Sequence, residues 1–393
     1  MNEDVQYVDY YKASDLAAIA TQQPGRYHPS HRHQFTPDVM VQDASCAISQ
    51  NDIEMYGVFC GYNNGGNVAN FVMNRMSYEV FTEQPITRNM DPDQIADQLR
   101  EKFLNVSLRY KNELNEILSE IFIMELPDTP TDRDKINELK NKVKAGCTAL
   151  VVLRIDDDLY VLNCGTSVPL VLNETHAMRL TDQVHDNENP EEIQRLLSIG
   201  VNPNDVTTPT RAIGDGYRSM DLYEQEPEFK QAKSPPVISE PEVFQVKIQH
   251  DWRHLLLVSG GMIQNVKDCE VDDVQTELND LFQVQTTREG TASNLVFKVG
   301  MKHKDAYDRR VKESPETHFS NHREEMTLIY VKLQDAISII STIDSSVNST
   351  VGIVEPETYL PYVDLSPDRA VQVAKELEKY LAMPTNSSPT MSS

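Results

Sequence analysis

Two apolar runs, "CTALVVLRI" from Cys147 and "LYVLNCGTSVPLVL" from Leu159, are separated only by Asp156, Asp157 and Asp158. Three adjacent aspartates have the look of a carboxylate cluster for a metal. Strand-forming runs flank them directly, however, so they read as the polar tip of a hairpin. A hairpin this apolar needs further strands beside it and other elements over it. The rest of the chain supplies both.

Upstream lie "DASCAIS" and "IEMYGVFCGY", two more strand-like runs. Val68, Phe71, Val72, Met76 and Val80 then recur at helical spacing, with Asn67 as the expected N-cap. From Asp93 to Leu126 the stripe Ile95, Leu99, Phe103, Val106, Tyr110, Leu114, Ile117 and Ile121 predicts a long core-facing helix. "NPEEIQRLLSIG" is a capped helix, with Asn189 as cap, Pro190 first in the helix and Gly200 closing it. Further strands are expected in "PPVISEPEVFQVKI", "WRHLLLVSGGM" and "MTLIYVKL", with a helix near "DDVQTELNDLF". Helices grouped between runs of strands point to an α+β fold of antiparallel sheets with helices packed outside, not to a βαβ repeat.

The expected organisation is an irregular segment over 1–37, a folded domain over 38–335, a Ser/Thr-rich linker over 336–357, a helix-bearing segment over 358–383 and a loose tail over 384–393. In "PYVDLSPDRAVQVAKELEKYLAMP" Ser366 is the cap, Pro367 opens the helix and Pro384 stops it. Such a helix on a linker is too short to stand alone in water and needs a surface for its apolar face.

The 36 basic against 61 acidic residues leave a net charge of −25, which disfavours nucleic acid and anionic membrane as partners. No apolar run approaches the ~20 residues of a membrane span. The acidic start "MNEDVQYVDYYKASD" has no signal-peptide pattern, and five cysteines without a C-x-x-C pair read as reduced, so a cytoplasmic location is expected.

"YGVFCGYNNGG" looks like the place where chemistry would sit. Cys60 is not a phosphatase nucleophile, because Gly66 stands where the phosphate-binding arginine is needed and nothing nearby would lower the thiol pKa. Nor is the stretch a P-loop, since it lacks the lysine and hydroxyl.

Six blocks in order over 38 to about 333 resemble the metal-dependent protein phosphatase 2C family. They are "YGVFCGYNNGGNVANFV", "AGCTALVVLRIDDDLYVLNCGTSVPLVL", "LTDQVHDNENPEEIQRLLSIG", "TRAIGD", "HLLLVSGGMIQNV" and "EEMTLIYV". The resemblance implies a β-sandwich of two antiparallel sheets flanked by helices. It also implies two bridged divalent cations that activate water and bind the substrate phosphate.

Carried over position by position, that chemistry fails. The family's glutamate falls on Gln42, although Asp43 is kept. The bridging aspartate falls on Cys60, beside the retained Gly61, and the histidine acid on Tyr62. Two further aspartates fall on Thr166 and Gly260, the last one on Glu324, and the phosphate-binding arginine on Asp38. Magnesium and manganese want anionic oxygens; glycine offers none, and a thiol is too soft. A carboxylate at Asp38 would repel a docking dianion by ~4 kcal/mol at ~4 Å and moderate dielectric. No cofactor is expected.

The chain resembles a pseudophosphatase branch of the family that binds and activates a MAP kinase kinase kinase of the TGF-beta-activated kinase type. That branch carries its kinase-binding element in a C-terminal "YVDF" leading into a helix; here the match is Tyr362, Val363 and Asp364, with Leu365 for the phenylalanine. The resemblance implies an adaptor that docks the kinase catalytic domain through Tyr362, Val363, Leu365, Val373, Leu377, Tyr380 and Leu381. It also implies promotion of kinase autophosphorylation, with self-association of the domain as a further expectation. Two other readings stand beside it: a residual metal phosphatase with one ion on Asp43 and Glu324, and a non-catalytic reader of phosphosites.

Overall fold

In the computed structural model, residues 10–13, 16–27, 35–37, 41–126, 132–181, 183–313 and 322–333 are described. The strand Gly146–Ile155 pairs antiparallel with Asp158–Cys164, Ile155 opposite Asp158. Asp156 and Asp157 alone make the turn, with Asp156 in the left-handed region at φ 55° that a tight hairpin demands. The aspartates are therefore a hairpin tip, as their flanks require.

This hairpin is the middle of one sheet, in the order Glu242–Lys247, Asp158–Cys164, Gly146–Ile155, Ile53–Tyr62, Ala44–Gln50, with Ile213–Gly214 beside Gly146–Ile155. The second sheet runs Tyr10–Ala13, Ala18–Gln22, Met326–Lys332, His254–Val258, Val168–Leu172, Ala177–Arg179. Both are antiparallel throughout. Their facing sides bury Val58, Leu150 and Val152 against Ile19, Leu257 and Ile329. The far side of the second sheet is covered by the helices Gly260–Lys267, Val274–Leu281 and Arg288–Glu313 through Met262, Leu278 and Val296. The helices Gly66–Phe81 and Pro92–Met124 cover the first sheet. The expected sandwich flanked by helices is what the chain forms.

The long helix runs Pro92–Met124, its cap Asp91 accepting from Asp93 N at 3.0 Å. Ile95, Leu99, Phe103, Val106, Tyr110, Leu114 and Ile121 are buried, and Ile117 is partly so. Asn189 Oδ1 accepts from Glu191 N at 2.9 Å, as the cap pattern predicted.

Two expectations are corrected. Residues 1–37 are not wholly irregular: Ala18–Gln22 is a fully buried interior strand between Tyr10–Ala13 and Met326–Lys332. "AIATQ" is short and alanine-rich, and alanine is depleted in strands, so its partners 300 residues away make it a strand. Asn67 is not a cap either. The helix begins at Gly66 behind Gly65, without a side-chain cap of its own.

The chain divides into two units, Met1–Pro356 and Glu357–Ser393. The expected linker, helix-bearing segment and tail lie outside the described residues.

Candidate functional site

The C-terminal end of the Ile53–Tyr62 strand, the helix start at Gly66 and the turn before the Ala44–Gln50 strand meet at one edge of the sandwich. The meeting is close. A β-carbon on Gly61 would lie 2.5 Å from the carbonyl oxygen of Gln42, and one on Gly65 would lie 2.6 Å from that of Tyr62. Only glycine fits either position, so the "CGYNNGG" glycines answer to packing, not to a phosphate.

Here the chain opens into a cavity of about 400 Å³. Asp43, Cys60, Gly61, Tyr62, Thr166, Gly260 and Glu324 all line it. Gln42, the neighbour of Asp43 in the chain, is not among the lining residues, and Asp38 lies outside the described residues. The positions that the resemblance singled out from distant parts of the sequence are thus brought together. Tyr362, Val363, Leu365, Val373, Leu377, Tyr380 and Leu381 also lie outside the described residues.

Each retained or replaced group now has another task. Gln42 Oε1 accepts from Gly65 N at 3.0 Å, giving the Gly66–Phe81 helix the anchor its own sequence lacks. Cys60 Sγ lies 3.5 Å from Ser167 Oγ, and burial, then the charge of Asp43, push its thiol well up. With no cation beside it, a thiol so held is neutral, and its soft sulfur suits magnesium or manganese poorly. Tyr62 donates its hydroxyl to Asp215 Oδ2 at 2.8 Å; burial, then Asp215, hold its phenol well above the usual value. Arg218 binds the same Oδ2 through Nε at 2.8 Å and reaches Thr207 Oγ1 at 2.8 Å.

Asp43 is the retained carboxyl. Its Oδ2 is buried without a hydrogen-bond partner among the described residues. Burial raises its pKa to about 7, with Glu324 adding to the rise and Thr327 and Cys60 opposing it. Glu324, next to it in the resemblance, is half exposed and lies 3.2 Å from His322 Nδ1.

The adjacent Glu325 was not singled out in the sequence, yet it is buried and turned inward. Its carboxylate accepts from Gln42 N at 2.8 Å and Asp43 N at 3.2 Å. His185 was also missed. Its Nδ1 accepts from Gly165 N at 3.0 Å, and burial, then Arg211, lower its pKa to about 4, so it is neutral. Buried Glu192 joins Arg211 at 2.7 Å and Arg195 at 2.8 Å, fixing the "TRAIGD" loop. No signal in the sequence separated these residues from their neighbours.

The family's two cations need several anionic oxygens converging on them. Among the described residues no group of three His, Cys, Asp or Glu side chains is arranged to hold a metal ion. The cavity is lined by a buried thiol, a threonine, a bare glycine and the carboxyls of Asp43, Asp186, Glu188, Glu324 and Glu325. Glu325 and Asp186 accept from backbone amides and Glu324 is half exposed, so these carboxyls do not converge on one point. That donor set does not fit the two ions.

The sandwich and the cavity at its edge define a phosphatase-like protein. The chain belongs to the protein phosphatase 2C family, whose model, "Protein phosphatase 2C", matches residues 41–294. A Caenorhabditis elegans protein named "TGF-beta-activated kinase 1 and MAP3K7-binding protein 1" is 38% identical over 384 residues, 95% of this chain and 97% of that one. "Protein phosphatase 2C 1" of Paramecium tetraurelia is 24% identical over 289 residues, 70% of this chain and 81% of that protein. The solved structure of a C. elegans sex determining protein aligns with a TM-score of 0.51 at 17% identity, covering 82% of this chain and 66% of that one. That likeness concerns the fold alone.

No helix among the described residues is long and apolar enough to cross a membrane.

Proposed function

We propose that this chain is a non-catalytic member of its family, a cytoplasmic adaptor that binds and activates a MAP kinase kinase kinase of the TGF-beta-activated kinase type. The observation that carries the proposal is the 38% identity over 95% of the chain to a relative named for binding that kinase. The donor set around Asp43 supports the non-catalytic half. A two-metal phosphatase depends on its ions for both nucleophile and substrate charge, and phosphate monoesters are among the slowest substrates without help.

In this reading the segment from Tyr362 to Leu381 docks on the kinase catalytic domain. Tyr362, Val363, Leu365, Val373, Leu377, Tyr380 and Leu381 bury their apolar surface there, as an amphipathic helix does in a groove. The folded domain acts as scaffold, and the kinase phosphorylates its own activation loop, which orders it.

The test is calorimetric titration of the 357–393 peptide and of the full chain into the kinase domain. Comparable affinities place the contact in the segment. Binding by the full chain alone would move it to the folded domain, and kinase activation that survives removal of 357–393 would sink the proposal. Manganese-stimulated hydrolysis of an aryl phosphate by the full chain would overturn the non-catalytic half.

A further inference from the structure

The helix Gly260–Lys267 starts at the mouth of the cavity, behind the cap Ser259, whose Oγ accepts from Met262 N at 3.3 Å. Gly260 is not among the glycines with positive φ, so its backbone does not call for glycine. The space around it does. A β-carbon at 260 would fall well inside contact with Thr166 Oγ1 and 3.1 Å from Thr166 Cβ. The helix start has no room to withdraw. On its other side, a β-carbon on Gly261 would collide with the Glu325 carbonyl and lie 3.1 Å from Glu324 Cβ. Asn265 fastens the helix to the same strand entry, donating to the Glu324 carbonyl at 2.9 Å and accepting from Glu324 N at 2.9 Å. Thr166 is β-branched and stiff at χ1, and it follows Gly165, where a β-carbon would itself strike the Thr148 side chain.

We infer that Thr166 and Gly260 are a mutually exclusive pair: the threonine side chain fills the volume that any side chain at 260 would need. Thr166 is thus a blocking residue. While it stands, no single substitution at 260 returns a metal-binding group to the helix start. The inference deepens the non-catalytic reading and rests on it, since it describes how the site is kept closed.

The test is a thermal-unfolding cycle on the full chain with Gly260→Ala, Thr166→Ala and the double variant. Alanine is the better helix former, so Gly260→Ala alone would normally raise Tm. We expect the opposite here: a fall of ~5 °C with Thr166 in place, and a rise of ~1–2 °C when the change is made on Thr166→Ala. This reversal of sign is what a shared volume predicts. A rise in both backgrounds, or a fall of the same size in both, would overturn the pair. Should Gly260→Ala be too unstable to purify, recovery of a folded double variant supports the pair, and its failure to fold where Thr166→Ala folds refutes it. Manganese binding is measured in parallel on the unmodified chain. Binding there would count against the non-catalytic reading while leaving the outcome of the cycle to stand on its own.

Discussion

The hydroxyl of Tyr62 donates to Asp215 Oδ2 at 2.8 Å, across 153 residues of chain. Tyr62 ends the Ile53–Tyr62 strand, and Asp215 closes the "TRAIGD" loop. The bond ties a strand of the sandwich to the loop that follows Thr208 and Pro209 of the cavity wall. Tyr62→Phe keeps the ring against Gly146 and deletes only the hydroxyl. Hydrogen bonds to charged groups contribute roughly 1.5–3 kcal/mol, and Asp215 keeps Arg218, so we expect a loss of ~1–2 kcal/mol in urea unfolding with an unchanged m-value.

Asp43 gives a pH dependence of definite sign. Its folded pKa, about 7, is raised above the usual 3.8. The folded chain therefore holds this proton more tightly than the unfolded chain. The stability it contributes is fully present below ~3.8 and is lost as pH rises through ~7. Asp43→Asn removes the penalty of ionising there. We expect its Tm to match the unmodified chain near pH 4 and to exceed it by a few °C, roughly, above pH 8. Equal Tm differences at both pH values would refute the assignment.

Glu324 and Glu325 should part sharply on mutation. Glu325 holds two backbone amides, so Glu325→Ala strands buried donors at a cost of ~2 kcal/mol or more. Glu324 is half exposed, and Glu324→Ala should stay within ~0.5 kcal/mol. Chemical denaturation of both variants decides the matter.

Glu192 is fully buried between Arg195 and Arg211, and these partners hold its carboxyl below the usual range despite burial. Removing one member of such a set leaves uncompensated charge, costing ~3–5 kcal/mol. Glu192→Ala should unfold the most readily of these variants. The contribution of Glu192 is present above the unfolded carboxylate pKa and fades as pH falls through the lower folded value.

The hairpin at Asp156 and Asp157, the stripe from Ile95 to Ile121 and the cap at Asn189 were legible because short-range pattern determines them. So was the gathering of Asp43, Cys60, Tyr62, Thr166 and Gly260, through blocks that resemble a known family in order. The Ala18–Gln22 strand was not legible, because its strand character comes from neighbours far along the chain and not from its own residues. Neighbouring Glu324 and Glu325 are alike as letters; successive side chains of an extended segment point opposite ways, so only the fold decides which one turns inward. The anchor of the Gly66–Phe81 helix escaped notice because Gln42 supplies it from another segment.

Ala18–Gln22 lies against Met326–Lys332, and Thr21 Oγ1 meets Thr327 Oγ1 at 3.2 Å, 306 positions apart. During synthesis this early strand has Tyr10–Ala13 on one side, but its other neighbour is missing until nearly the whole domain has left the ribosome. Closing so long a loop makes folding slow and leaves apolar strands waiting in the meantime. The second sheet is therefore expected to complete itself only once Met326–Lys332 has emerged, late in the synthesis of the domain.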